Sequence, residues 1–170
     1  MLRYLTSGES HGQSLITIID GIPSNIELNI DDINEELRKR QGGYGRGGRM
    51  KIEKDKINII GGARGRKTIG APLSFEIKNK DFENWTKFMS PMDDIDRKER
   101  IVENVRPGHA DLVGCLKYDF DDARNVLERS SARETASRVA VGAICKQVLK
   151  NFNIEFTSHV VQIGDIKDDN

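Results

Sequence analysis

Cysteine, aromatic residues and net charge are all in short supply in this chain of 170 residues, and each shortage closes off a class of protein. The two cysteines, Cys115 and Cys145, lie far apart in apolar, helix-like contexts. That predicts reduced core residues rather than a disulfide or a metal pair. Aromatics make up 6% of the chain, which counts against a surface that grips nucleic acid by base stacking. Lysine plus arginine number 27 and aspartate plus glutamate 27, so no overall field draws the chain to nucleic acid or to an anionic membrane. No apolar run approaches the roughly 20 residues of a membrane helix. Residues 1–5 do not open a secretory signal, so a cytoplasmic protein is expected. There is no internal repeat, no P-loop pattern and no strand–GxGxxG–helix unit, which disfavours kinase and Rossmann chemistry. With hydrophobic residues at 36% and charged residues at 32%, residues 1–170 are expected to form a single globular domain.

Against that balanced background, residues 38–51 read RKRQGGYGRGGRMK. Arg38, Lys39, Arg40, Arg46, Arg49 and Lys51 stand there among glycines and one tyrosine, without any acid. Glycine lets backbone amides come close to a ligand, and guanidinium forks match phosphate and carboxylate oxygens two at a time. The stretch predicts a binding loop for a strongly anionic partner, with a solvated basic surface loop as the plainer alternative. Part of the charge has a structural reason. Asn29 reads as an N-cap, and Ile30, Ile33 and Leu37 recur at helical spacing. Arg38, Lys39 and Arg40 then fall in the last turn before Gly42, where the helix dipole favours cations. Arg46 and Arg49 lie beyond that helix.

Two histidines are displayed on glycine-framed turns. Residues 2–6 read as a strand running into Ser7-Gly8-Glu9-Ser10-His11-Gly12, and residues 14–20 (SLITIID) as a buried strand. Imidazole moves protons near neutral pH, so His11 is a candidate acid or base, with capping of a neighbouring carbonyl as the alternative. Arg106-Pro107-Gly108-His109-Ala110-Asp111 presents a cation, a histidine and an acid at a helix start, where Asp111 is favoured by the dipole alone. Residues 51–58 and 73–78 read as strands, with Leu73, Phe75 and Ile77 alternating with polar side chains. Residues 61–67 form a second glycine-and-cation loop. Residues 81–100, with Trp85, Phe88 and Met89, are expected to be irregular with a short helix, and no chemistry is assigned to them. A short helix over 121–128 precedes Arg129-Ser130-Ser131-Ala132-Arg133-Glu134. That run puts two hydroxyls and two guanidiniums at the start of a long helix reaching about Asn151. Ser131 and Glu134 have capping-box spacing, and unpaired amides there suit a phosphate. Ala132, Ala136, Ala140 and Ala143 make a stripe for close packing. Residues 152–163 are a further strand candidate, in which His159 is packed or exposed rather than catalytic. The residues alone point to acid–base chemistry on an anionic, phosphorylated small molecule.

Four of these stretches carry a resemblance. GESHG at Gly8–Gly12, RQGGYGRGGRM at Arg40–Met50, RPGHADLVG at Arg106–Gly114 and RSSARETASRV at Arg129–Val139 resemble blocks of the chorismate synthase family, in that family's order and spacing. The resemblance covers essentially the whole chain but only about the N-terminal half of the family's usual length. It implies an α+β fold, a β-α-β sandwich of antiparallel sheets around helices, truncated here, with a homotetramer in the full-length form. It implies a carbon–oxygen lyase of the shikimate pathway, in aromatic amino acid biosynthesis. That lyase converts 5-enolpyruvylshikimate-3-phosphate to chorismate and phosphate by an anti 1,4-elimination, with reduced FMN and no net redox change. By the same resemblance His11 protonates the departing phosphate and His109 protonates the flavin. Ser10, Arg49 and Arg133 are substrate-binding candidates. Arg129, Ser130 and Ser131 match an FMN-binding segment, and Arg40 and Arg46 match positions assigned to NADPH as flavin reductant. No metal site is expected. The family's second half supplies a catalytic aspartate and more of the flavin site, so this chain alone is expected not to complete the site. An inactive portion of that enzyme is one alternative. An RNA-binding module using GRGGR at Gly45–Arg49 is another, disfavoured by the charge balance and the scarce aromatics.

Overall fold

A computed structural model describes residues 1–95 and 98–168. In chain order it contains β1 (Arg3–Ser7), β2 (Ser14–Asp20), α1 (Ile30–Gln41), the single turn α2 (Arg49–Ile52) and β3 (Ile57–Gly61). The two-residue strands β4 (Ala63–Arg64) and β5 (Lys67–Thr68) and then β6 (Leu73–Lys78) follow. Next come α3 (Asp111–Tyr118), α4 (Arg124–Ser130), α5 (Thr135–Lys150), β7 (Gln162–Ile163) and β8 (Ile166–Lys167).

Alternation along β2 and β6 builds the main sheet. Leu15, Thr17 and Ile19 on β2 and Leu73, Phe75 and Ile77 on β6 are buried, while Ile16, Ile18 and Lys78 remain exposed. The period of two turns every second side chain to one face, and that face becomes the core. The sheet is antiparallel throughout, in the order β1-β2-β6-β3, with Thr17 opposite Phe75 at its centre. Helices α1 and α5 cover the buried face. Asn29 caps α1 through bonds from the Asp31 and Asp32 backbone N–H groups, as the sequence predicts, and Gly42 follows its end. Ile33 and Leu37 of α1 pack with Ala136, Ala140, Ala143 and Ile144 of α5. Each large aliphatic side chain so buried contributes about 1.5–3 kcal/mol. Small residues on α5 let the two helices approach closely. Gln147 of α5 completes the clamp by bonding both the N–H and the carbonyl of Asn29.

The α+β class and the antiparallel sheet agree with expectation, as do β2, β6 and α1. Several boundaries do not. Residues 51–58 are not one strand: α2 ends at Ile52, and β3 begins only at Ile57. The reason is that Glu53 and Asp55 turn inward to meet arginines. The loop at residues 61–67 closes as the β4–β5 hairpin. The expected capping box is replaced. The Ser131 hydroxyl accepts from the Arg133 backbone N–H, while the Glu134 carboxylate receives the Thr6 hydroxyl and Arg138. Ala132 precedes α5 and is exposed, so the packed stripe is only Ala136, Ala140 and Ala143. Of residues 152–163 only Gln162 and Ile163 form a strand, and His159 lies in exposed irregular backbone. Cys115 and Cys145 are free and half-buried. Among the described residues no helix is long and apolar enough to cross a membrane.

Candidate active site

The turn between β1 and β2 carries Ser10 and His11 to the start of a packed cluster. Gly8, with φ +92°, makes the turn possible, because a Cβ there would collide with the Ser14 carbonyl. Residues 8–12 also spell Gly-x-Ser-x-Gly, the form of a nucleophile elbow. An elbow needs a strand–turn–helix, and this turn instead joins two antiparallel strands. Ser10 is buried, and its hydroxyl accepts from Arg49 Nη1 at 2.6 Å, so it is held as a bonded polar group and not as a free nucleophile.

His11 is held on three sides. Its backbone N–H bonds Glu128 Oε2 at 2.8 Å, and its Nδ1 lies 2.8 Å from Glu128 Oε1. The ring stacks on Trp85 with centroids 3.9 Å apart. Its Nε2 lies 3.9 Å from Asp81 Oδ2. Asp81 is itself fixed by Asn84 and by the Trp85 indole N–H. Arg100 sits 4.4 Å from the Trp85 ring centre. Beside this cluster opens a cleft of about 470 Å³, bordered by Phe88, Met89, Arg100, Arg124, Asn125 and Glu128. Burial would push the Glu128 carboxyl up, but the bonds from His11 and Arg124 outweigh it and hold it below its ordinary value. The Asn84 amide, the Arg49 charge and the Trp85 N–H hold Asp81 low in the same way.

Behind Ser10 runs a row of alternating charges, buried at Glu53, Asp55 and Arg133 and half-buried at Arg40 and Arg49. Arg49 donates to Ser10 through both its hydroxyl and its carbonyl and pairs with Glu53 at 3.1 Å. Glu53 also accepts the Lys80 and Asp81 backbone N–H groups, which places Asp81. Arg133, 3% exposed, lies 3.8 Å from Glu53 and donates to both oxygens of Asp55 at 2.6 and 2.7 Å. Arg40 closes the row, 3.5 Å from Asp55, and also bonds Thr135 Oγ1 and the Ala132 carbonyl. Asn79 accepts from Arg133 and donates to the carbonyls of Glu9 and Gly12. Arg40, Arg49 and Arg133 are therefore brought together with Ser10 and His11. Arg46 is not: it is exposed, and among the described residues it bonds only the Gly42 carbonyl.

His109 forms a separate cluster. Its Nδ1 bonds Asp111 Oδ1 closely, and Arg106 bonds both the imidazole and the Asp111 carboxylate. The Arg106 guanidinium beside Asp111 holds that carboxyl well below the usual carboxylate range. Among the described residues no contact joins His109 to His11. They are linked through packing of α3 on α4, where a Cβ on Gly114 would strike Val126. Arg129, Ser130 and Ser131 line a second cleft, of about 510 Å³, with Thr6, Glu134 and Arg138, and Arg129 bonds the Thr6 carbonyl and hydroxyl.

Sequence reasoning overlooked Glu53, Asp55, Asn79, Asp81, Trp85 and Glu128. Glu53 and Asp55, flanked by lysines, read as surface charge, and no local pattern marks Asp81 or Trp85 as partners of a histidine 70 or more residues away. The one legible signal was an acid in α4 directly before the RSSARET run. Among the described residues no group of histidine, cysteine, aspartate and glutamate side chains is disposed to hold a metal ion.

Comparison with known proteins places this arrangement in a family. A family model described as chorismate synthase matches residues 2–170. The chorismate synthase of Alkaliphilus metalliredigens (strain QYMF) is 57% identical over 166 residues, covering 98% of this chain and 43% of that protein. That of Staphylococcus aureus (strain MRSA252) is 56% identical over 171 residues, covering 98% and 44%. A crystal structure of chorismate synthase superposes with a TM-score of 0.75 at 43% identity, over 98% of this chain and 40% of that one. The chain thus spans less than half the length of these relatives, and on the match along nearly its whole extent it belongs to the chorismate synthase family.

Proposed function

We propose that this chain contributes the proton-donating part of a chorismate synthase site. The reaction would be the elimination of phosphate from 5-enolpyruvylshikimate-3-phosphate to give chorismate. In it a ring carbon–oxygen bond to phosphate breaks, a ring C–H proton is removed, and a second ring double bond forms. The carrying observation is His11, whose Nδ1 rests on a buried carboxylate while its Nε2 faces another carboxylate across 3.9 Å. Both partners accept hydrogen bonds, so the ring is suited to hold a proton at each nitrogen and to give one to a leaving phosphate. Ser10 and Arg49 are the proposed substrate contacts, sharing a bond beside His11. Arg133, buried and committed to Asp55, is proposed to hold that pair in place and not to touch substrate itself.

The donor set around Arg129, Ser130, Ser131 and Arg138 fits the phosphoryl end of FMN: two guanidiniums and two hydroxyls face a single carboxylate, Glu134, already taken by Thr6 and Arg138. Bound there in reduced form, FMN would supply electron density for the loss of phosphate without net redox change. His109, bonded to the Asp111 carboxylate and to the Arg106 guanidinium, is the second imidazole proposed to pass on a proton. If NADPH reduces the flavin, Arg46 is the arginine open to its phosphates, since Arg40 is engaged within the protein. That two of the three arginines of residues 40–49 turn inward also weighs against an RNA-contact segment.

Mixing this chain with the separately produced unmatched part of the Alkaliphilus protein, reduced FMN and substrate tests the reading through chorismate and phosphate release. Neither piece alone should turn over, the mixture should, and His11→Ala in the mixture should lose about 100- to 10,000-fold. Full activity from the 170-residue chain alone would contradict the need for a second part. A co-eluting, folded complex that makes no chorismate would overturn the assignment.

A further inference from the structure

We propose that Glu128 is a positioning residue for His11, fixing which ring nitrogen carries its hydrogen and where the other one points. The inference rests on the role given to His11 above. Three N–H groups converge on the Glu128 carboxylate: His11 Nδ1 at 2.8 and 3.0 Å, the His11 backbone N–H at 2.8 Å and Arg124 Nη1 at 3.1 Å. An ionised carboxylate can only accept, so Nδ1 must donate, and Nε2 is left as the only nitrogen able to exchange a proton with a ligand. The grip is two-sided, because the Ser10 backbone N–H bonds the Glu128 carbonyl at 2.9 Å. Trp85 then sets the plane of the ring.

The remaining charged groups around the ring are consistent with this. Asp81 lies on the Nε2 side, Arg49 lies close enough to stabilise the Asp81 charge, and Arg100 and Arg124 stand over Trp85. Arg124 is itself anchored by the Arg100 carbonyl, so the cation that shares the buried Glu128 charge cannot swing away. A carboxylate whose side chain is 1% exposed has no water to satisfy it, and it is retained where its partners need an acceptor of full charge.

The test is Glu128→Gln, with Glu128→Asp as the conservative variant. Glutamine keeps the volume but places an amide –NH2 among donors. That group can donate to a bare Nδ1 and so move the ring hydrogen to Nε2. Nitrogen-15 NMR of histidine-labelled chain, at a pH where the ring is neutral, reads the tautomer, with His11→Gln identifying the signal. We expect an Nδ1–H ring in the unaltered chain and in Glu128→Asp, and an Nε2–H ring in Glu128→Gln. In the reconstituted enzyme kcat for Glu128→Gln should fall about 10- to 100-fold with KM changed far less, and Glu128→Asp should recover part of it. An Nε2–H ring in the unaltered chain overturns the proposal, and so does a Glu128→Gln enzyme with unchanged kcat. If Glu128→Gln does not fold, Glu128→Asp decides: an unaltered tautomer with partial kcat supports the proposal, and a shifted tautomer with full kcat overturns it. Should the unaltered mixture make no chorismate, the assigned reaction fails, while the tautomer measurement still decides whether Glu128 fixes the ring.

Discussion

His11 and His109 each set Nδ1 against a buried carboxylate on a helix, yet their second neighbours have opposite charge. At His11 the far nitrogen faces Asp81, whereas at His109 the Arg106 guanidinium lies 3.0 Å from both ring nitrogens. The first imidazole stands between two carboxylates, the second between a carboxylate and a guanidinium. Their anchoring differs as well. Glu128 binds both the ring and the backbone of His11, and Trp85 stacks on it, while the His109 backbone N–H bonds the Arg106 carbonyl on its own turn. The contrast shows that a histidine and an acid in contact do not define a function. The next charge outward makes the two surroundings electrostatically different.

The sharpest way to break this contrast is to remove what holds both Asp55 and Glu53. Arg133→Ala leaves two buried carboxylates short of their shared cation and should destabilise the chain by about 3–5 kcal/mol in denaturant titration. A loss under about 1 kcal/mol would mean the row of charges is not a structural clamp. Next in size, His11→Ala should cost about 2–3 kcal/mol, from the lost stack and from a buried carboxylate left one donor short. His109→Ala should cost about 1 kcal/mol, because Arg106 still satisfies Asp111. Equal losses would show the two imidazoles to be equivalent. The smallest effect is expected on acidification. Glu128 and Asp111 are both held below their ordinary values, so their contribution is fully present above the unfolded value of about 4 and fades as pH falls through the folded one. Denaturation midpoints should stay level towards about pH 5 as far as these two groups are concerned, then drop. Asp111→Asn and Glu128→Gln should each flatten part of that drop. A midpoint that rises on acidification below about pH 4 would contradict both depressions.

What the sequence made legible is what repeats locally. Leu73, Phe75 and Ile77 show their alternation to any reader, and Asn29 announces the helix it caps. The displayed histidines and the arginine-rich blocks could also be found, because glycine framing and clustered charge are short-range signals. The partners of those residues could not. Glu128 meets His11 across 117 positions and Glu134 meets Thr6 across 128. Such contacts override local rules, and for that reason the capping box at Ser131 gave way to a tie between helix and strand. Residues 152–163 show the converse. Phe156, Val160 and Val161 have the composition of a strand, but strand propensity acts only where a neighbour supplies the ladder, and these side chains lie exposed.

The alternating row from Arg40 through Asp55, Arg133 and Glu53 to Arg49 also constrains how this sequence can drift. A single change within it leaves an inward-turned opposite charge one partner short, so paired steps are favoured, made at positions as distant as 55 and 133. These five side chains are therefore expected to vary together or not at all across descendants of this chain, whatever happens at the exposed glycines between residues 42 and 48.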